Sequence, residues 1–356
     1  VRDFGPTPGP WRSACRPCRD QVTTLTARVA DDYRALRHHV GGRLVPRDVL
    51  AVRGPDAVSY LQGQCSQDVA ALSVGESADA LLLGPQGKLD ALVRVWRGDE
   101  DGFLLDVEGG WGAVVRERLE RFKLRVKASV DTLELECLAL RGPDAAGAAQ
   151  GVAGDHPLAF SWNGVTGVDV FGRALSIPNG IRACGTEAWE ALRVEAGIPA
   201  MGSELDDRTI AAEADLLERC VSFTKGCYTG QELVARLDAR GNKVSRHLVG
   251  FVVSGPPAEA GGLEVPGGHG GAPLPAGTAV FPGGAQDGED GEGGGSGEAR
   301  EGTAAGAITS SAWSPALGVV ALGYLHRRVA PPAAVVLRTP GGQVVSAEAR
   351  PLPLAR

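Results

Sequence analysis

No apolar run in this sequence approaches the ~18 residues that a membrane-spanning helix needs, so no association with a membrane is expected. The opening residues Val1-Arg2-Asp3-Phe4-Gly5-Pro6 lack an apolar h-region, which argues against a secretory signal. Basic charge is also in short supply. Lys and Arg number 36 against 43 Asp and Glu, and the net charge of −7 argues against general nucleic-acid binding. An odd count of seven cysteines does not make a disulfide framework, so a reducing cytoplasm is the expected compartment. Cys15-Arg16-Pro17-Cys18 is a lone C-x-x-C with no second ligand pair at metal spacing. Residues 1–44 read as a flexible N-terminal arm, with a weak helical signal over Asp31 to His39.

What the chain does contain is enough apolar material for real cores: 43% hydrophobic and 22% charged residues in 356. That length exceeds the usual limit of one core, so two or three domains are expected. Residues 48–53 read as a strand, and Gly54-Pro55-Asp56 leads into a helix from Ala57. Apolar runs at 81–83, 89–96 and 103–107, separated by Gly-rich turns, predict an antiparallel meander. Residues 111–122 pattern as an amphipathic helix, 133–141 as a strand, and 145–154 as a small-residue linker. Thr186 is placed to cap a helix that stops at Gly197-Ile198-Pro199. After a strand at 246–253 helix signals vanish. Short strands at 278–281, 305–310, 317–325 and 333–338 then predict a small β-barrel or sandwich. Residues 283–302 are Gly- and acid-rich with almost no apolar side chain, and read as a disordered insert. The expected class is α+β: an α+β region over 45–243, in two lobes linked near 145–154, and a C-terminal barrel domain over 244–356.

The stretch Lys225-Gly226-Cys227-Tyr228-Thr229-Gly230-Gln231-Glu232 carries the densest chemistry. Glycines around Cys227 let the backbone bring a thiol close to a ligand. Thr229 and Glu232 have capping-box spacing, which would start a helix at Gly230 and bury Leu233, Val234 and Leu237. A helix N-terminus and the Lys225 ammonium would both favour thiolate over thiol at Cys227. The segment is locally basic (Arg219, Lys225, Arg236, Arg240, Lys243, Arg246) within an acidic protein, which suits a polyanionic ligand or a solvated face with a Glu232–Arg236 pair. Glu195 lies in the last turn of its helix, where a carboxylate opposes the dipole. A cysteine hydrolase would need a base near the thiol, and His247, the nearest in sequence, has no evident orienting carboxylate.

The run Lys225 to Glu232, followed by Ala235-Arg236-Leu237-Asp238-Ala239-Arg240-Gly241, resembles the signature of YgfZ-type folate-binding proteins. These are relatives of the T-protein (aminomethyltransferase) of the glycine cleavage system. Arg193-Val194-Glu195-Ala196-Gly197-Ile198-Pro199, Tyr60-Leu61-Gln62-Gly63-Gln64 with Asp68, and Gly306 to Gly318 resemble further motifs of that family in the same order. The resemblance implies a three-lobed GcvT-like fold around a folate cavity and tetrahydrofolate as cofactor; a monomer is expected. It also implies work with iron–sulfur client enzymes or assembly factors. By it, Cys227 would carry the activity and Glu195 would hydrogen-bond the pterin. Lys225, Gly226, Tyr228, Gly230, Gln231, Glu232, Arg236, Arg240 and Asp90 would then complete the cofactor site. The alternative is aminomethyl transfer to tetrahydrofolate. T-proteins, however, carry an Asp-Asp pair where Gly87-Lys88-Leu89-Asp90-Ala91 keeps only Asp90, and they lack the Cys-Tyr-x-Gly-Gln-Glu run.

Overall fold

A computed structural model describes residues 16–99, 102–254, 272–283 and 303–355. The chain begins with α1 (Arg16–His38) and β1 (Gly41–Val45), then lays down β2 (Arg47–Arg53), α2 (Ala57–Gln64), β3 (Ser77–Leu83), β4 (Leu89–Asp99), β5 (Gly102–Glu108), α3 (Gly112–Arg121) and β6 (Ser129–Leu133). Next come β7 (Glu136–Arg141), α4 (Ala145–Ala149), β8 (His156–Trp162), β9 (Val165–Gly172), β10 (Arg182–Ala183) and α5 (Thr186–Ala196). A 3-10 turn (Ala211–Ala214), α6 (Leu217–Cys220) and α7 (Gln231–Asp238) lead into β11 (Arg246–Val253), β12 (Ala279–Pro282), β13 (Gly306–Ser314), β14 (Gly318–His326), β15 (Ala333–Arg338) and β16 (Val344–Arg350).

These strands form two five-stranded sheets, β3-β4-β5-β2-β6 and β10-β1-β7-β9-β8, and a closed barrel, β11-β14-β13-β12-β15-β16. The meander read from the Gly-rich turns is the β3-β4-β5 half of the first sheet. Alternation along β4 explains how the two sheets meet. Ala91, Val93 and Val95 point into a core that contains Ala57, Leu61, Val115 and Leu119 from α2 and α3. Trp96 points the other way and packs with Val49 and Leu104 against Cys137, Leu158 and Phe171 of the second sheet. Arg94 shares that second face. No described helix is long and apolar enough to cross a membrane.

Four readings change. The described part of the expected flexible arm is helix followed by strand: β1 pairs with β7, and α1 buries Val29, Tyr33 and Leu36 against Ala188, Ala191 and Leu192 of α5, because its apolar positions recur at helical spacing. The 145–154 linker contains α4, whose Ala145 is buried against Leu138 and Leu140. The single strand expected over 133–141 is two, since β6 pairs with β2 while β7 pairs with β1 and β9 in the other sheet. Thr186 does not cap α5. Gly185 holds the cap position, and the Thr186 hydroxyl accepts a hydrogen bond from Arg43. Gly197 does end α5, in the left-handed conformation at φ 68°. The barrel also contains β16, which was not anticipated. Cys15 and residues 284–302 lie outside the described residues.

Candidate functional site

The two sheets and α5 enclose a cavity of ≈ 350 Å³. Its charged lining includes Arg47, Asp79, Arg94 and Glu108 from the first sheet and Arg141 and Asp169 from the second. In register, Asp79 faces Arg94, Arg94 faces Asp106, and Arg47 faces Glu108, so all five lie on one side of the first sheet. Arg47 and Arg94 both bond Asp106, with Arg47 Nε at 2.6 Å and Arg94 Nε at 2.9 Å. Arg94 Nη1 then reaches Asp169 Oδ2 at 2.9 Å, and Arg141 Nη1 reaches Asp169 Oδ1 at 2.7 Å. Burial alone would raise the Asp169 pKa, but Arg141 and Arg94 override it and hold the carboxyl at about 2. Within this chain three guanidiniums meet two carboxylates, which leaves a surplus positive charge at the cavity wall. Arg141 lies 3.6 Å from the Phe160 ring centre and 5.2 Å from that of Trp189. Phe160, Trp162 and Trp189 supply the aromatic walls.

Thr186, Trp189, Glu190 and Arg193 form the cavity face of α5. At 100° per residue, Glu195 falls on the opposite side of that helix. Its side chain is fully buried, and Oε2 accepts hydrogen bonds from Tyr33 Oη at 2.6 Å and Arg37 Nη2 at 2.5 Å. Among the described residues Oε1 has no hydrogen-bond partner. The Glu195 carboxylate thus joins α5 to α1 and does not line the cavity. Burial, with Glu195 beside it, pushes the Tyr33 hydroxyl up to about 12.

The Lys225–Glu232 stretch docks on two other motifs that are far away in sequence. Lys225 Nζ donates to the carbonyls of Gln62 and Cys65 at 2.6 Å and of Gln67 at 3.0 Å. Its pKa is lowered by that burial. Thr229 N donates to Gly63 O at 3.0 Å. The capping box does not form: Gly230 is the N-cap at φ 83°, and it is Gln231 Oε1 that accepts the Tyr228 amide at 3.1 Å. A Cβ at Gly230 would lie 2.5 Å from Gly84 O, so contact with the 84–87 turn demands glycine there. Gly226 is open instead; a Cβ there would meet nothing within 4 Å. Tyr228 packs on the core, and burial pushes its hydroxyl up to about 12. Asp90 accepts Arg118 Nε at 2.8 Å, and Arg118 also bonds Gln64 and Leu83 O. Of the expected α7 face, Val234 is buried and Leu233 and Leu237 are half-buried. Glu232, Arg236 and Arg240 are exposed, and no Glu232–Arg236 ion pair forms.

Cys227 is exposed, whereas the other described free cysteines (Cys65, Cys137, Cys184, Cys220) are buried. Burial pushes Cys65 up to about 12 and Cys184 up to about 11. The structure therefore brings together Lys225, Gly226, Cys227, Tyr228, Gly230, Gln231 and Asp90, with Arg236 of α7 and Arg240 just after it beyond them. Glu195 and the cavity stand apart from that group. A path does join the two places. Arg219 Nε bonds Asp79 at the cavity at 2.6 Å, while its carbonyl accepts from Gln67, whose own carbonyl accepts from Lys225. The cavity residues were missed by sequence reasoning. Their signal is a lone charge inside an apolar strand, as in Leu92-Val93-Arg94-Val95-Trp96 and Val168-Asp169-Val170. Among the described residues no group of three or more His, Cys, Asp or Glu side chains could hold a metal ion.

No protein-family model matches the chain. An uncharacterized protein of Haemophilus influenzae is 28% identical over 205 residues, which cover 56% of this chain and 68% of that protein. The tRNA-modifying protein YgfZ of Klebsiella pneumoniae is 30% identical over 212 residues, 53% of this chain and 64% of its own length. An aminomethyltransferase of Corynebacterium jeikeium is 25% identical over 351 residues, which cover 83% of this chain and 81% of that enzyme. The chain thus spans about two thirds of the first two relatives. Among solved structures, the glycine cleavage system aminomethyltransferase T from Bartonella henselae superposes with a TM-score of 0.70 at 21% identity, over 92% of this chain and 89% of that one. The expected GcvT-like fold with its antiparallel barrel is the fold found. In sequence the chain is similar to YgfZ and aminomethyltransferase proteins, and its architecture is that of the GcvT fold.

Proposed function

We propose that this protein binds tetrahydrofolate in the cavity between the two sheets and α5, and serves iron–sulfur client enzymes or their assembly factors through Cys227. The observation that carries the folate reading is the lining of the ≈ 350 Å³ cavity, a volume in the range of small-molecule pockets. A reduced pterin has an apolar face, a carbonyl, and an edge with adjacent N–H donors. Trp189, Phe160 and Trp162 suit the ring faces, the arginines suit the carbonyl and an anionic glutamyl tail, and the carboxylates suit the N–H edge. The residues present therefore fit the group. Folate would supply a one-carbon carrier, while this chain binds and orients it.

For Cys227, the support is exposure in a loop whose lysine and glycine are spent on holding its shape. The proposed partners are proteins and folate rather than nucleic acid, given the net charge of −7. Titration with tetrahydrofolate, followed by tryptophan fluorescence, tests the first half: saturable quenching is expected, and none up to millimolar ligand would end the reading. For the second half, Cys227→Ala should bind folate as wild type does, yet fail to restore an iron–sulfur enzyme in cells lacking the protein. Full restoration by the variant would remove the thiol from the function.

Aminomethyl transfer is the second reading, favoured by the relatives of that name. Asp90, the acid left in the turn where T-proteins carry two, is held by Arg118 and does not line the cavity, which weighs against it. One-carbon transfer from a lipoyl carrier protein by the purified protein would reverse that judgement.

A further inference from the structure

The cavity carboxylates differ in what they have left to offer. Both Asp169 oxygens are bonded by guanidiniums, one from Arg141 and one from Arg94. Asp79 Oδ2 accepts Arg219 Nε at 2.6 Å, and Glu190 Oε2 accepts Arg193 Nε at 2.8 Å. Glu108 is different. It lines the same cavity, yet among the described residues no arginine or lysine pairs with it. Among the described residues its carboxylate accepts only the Met201 amide, on Oε2 at 2.8 Å, which leaves acceptor capacity on both oxygens. Arg47 stands directly opposite Glu108 across the β2–β5 pair but turns its guanidinium to Asp106. The ion chain in the cavity wall thus removes the natural partner of Glu108, which lines the same cavity.

We infer that Glu108 is the side chain that reads the ligand's aminopyrimidinone edge, accepting its adjacent N–H donors. The inference rests on the folate reading above and adds a residue that reading did not assign. Glu195, expected from sequence to do this, is fully buried on the far side of α5, where Arg37 and Tyr33 hold its Oε2, and it does not line the cavity. The groups facing Glu108 are Arg47 from β2, Arg193 and Glu190 from α5, and the Met201 amide from the segment after it. Burial, aided by Glu190, raises the Glu108 pKa above the ordinary range, although Met201, Arg47 and Arg193 oppose it. A ligand that donates two N–H groups favours the ionised form. Binding should therefore release a proton, and affinity should rise as pH rises through the pKa of the free protein.

The test is calorimetric titration of the full chain with tetrahydrofolate from pH 5 to 7.5, for wild type, Glu108→Gln and Glu108→Asp, with circular dichroism as the check on folding. At pH 7.5 Glu108→Gln should bind about 10- to 100-fold more weakly, the scale of a charged hydrogen bond. Glu108→Asp, which keeps the charge but withdraws it, should fall between the two. The pH dependence of wild type should flatten in Glu108→Gln, while any slope owed to the ligand itself persists. Wild type should prefer a tetrahydropterin to the matching tetrahydrolumazine, which has an oxo group for the 2-amino group. Glu108→Gln should lose that preference, a change a merely structural role would not produce. If wild type binds and Glu108→Gln matches it within twofold with the same pH slope, the assignment of Glu108 falls while the folate reading stands. If wild type does not bind at all, both fall.

Discussion

Asp169→Asn isolates the ion chain that joins the two sheets. The carboxylate is buried and holds Arg94 and Arg141 at 2.9 and 2.7 Å. The amide would leave both guanidiniums, themselves buried, short of a counter-charge. Breaking one side of a buried pair costs about 3–5 kcal/mol. The acid dependence follows from the same geometry. The folded pKa of about 2 lies below the ~3.9 of an unfolded aspartate, so the stabilisation is present above pH ~4 and fades as pH falls toward 2. The shift of roughly two units corresponds to ~2–3 kcal/mol. Equilibrium urea unfolding, followed by tryptophan fluorescence, should show the variant about 3–5 kcal/mol less stable than wild type at pH 7. That gap should narrow by ~2–3 kcal/mol between pH 5 and pH 2. A gap below 1 kcal/mol at pH 7, or one independent of pH, would refute the claim that Asp169 acts as a buried counter-ion.

Glu195→Ala should lower stability by about 2–4 kcal/mol by stranding Arg37 and Tyr33. Tetrahydrofolate affinity should stay within twofold, with thermal melts and calorimetry as the paired readouts; weakened binding without lost stability would return Glu195 to the ligand site. Gly230→Ala should cost about 1–3 kcal/mol through its positive φ, with more from the approach to Gly84 O. Gly226→Ala should cost little, because its Cβ meets open space, so equal urea midpoints for the two variants would contradict the docking described here.

Much of the fold was legible because it depends on local periodicity and turn chemistry. The β3-β4-β5 meander, the stop of α5 at Gly197 and the run of strands from β11 to β15 all follow from alternation and from glycines placed where φ must be positive. The division of residues 129–141 between two sheets was not legible, because an apolar run does not state which neighbour it will pair with. Nor was the burial of α1, which depends on α5 offering Ala188 and Ala191 as a surface.

The Lys225–Glu232 motif could be found in the sequence because its residues are contiguous, and a local pattern survives without a partner. What it touches could not: Lys225 closing on the Gln62–Gln67 backbone and Gly230 fitting the 84–87 turn are contacts between segments more than a hundred residues apart. The same limit hid the cavity. A single arginine or aspartate in an apolar strand reads as an anomaly by itself. Only when the sheets close does Arg94 meet Asp169 and Arg47 turn from Glu108 to Asp106, because in a buried site each charge must find its opposite. Sequence determined the β3-β4-β5 meander, the stop of α5, the strands from β11 to β15 and the Lys225–Glu232 motif. Tertiary pairing of charges decided where the cavity lies and which carboxylate is left to face it.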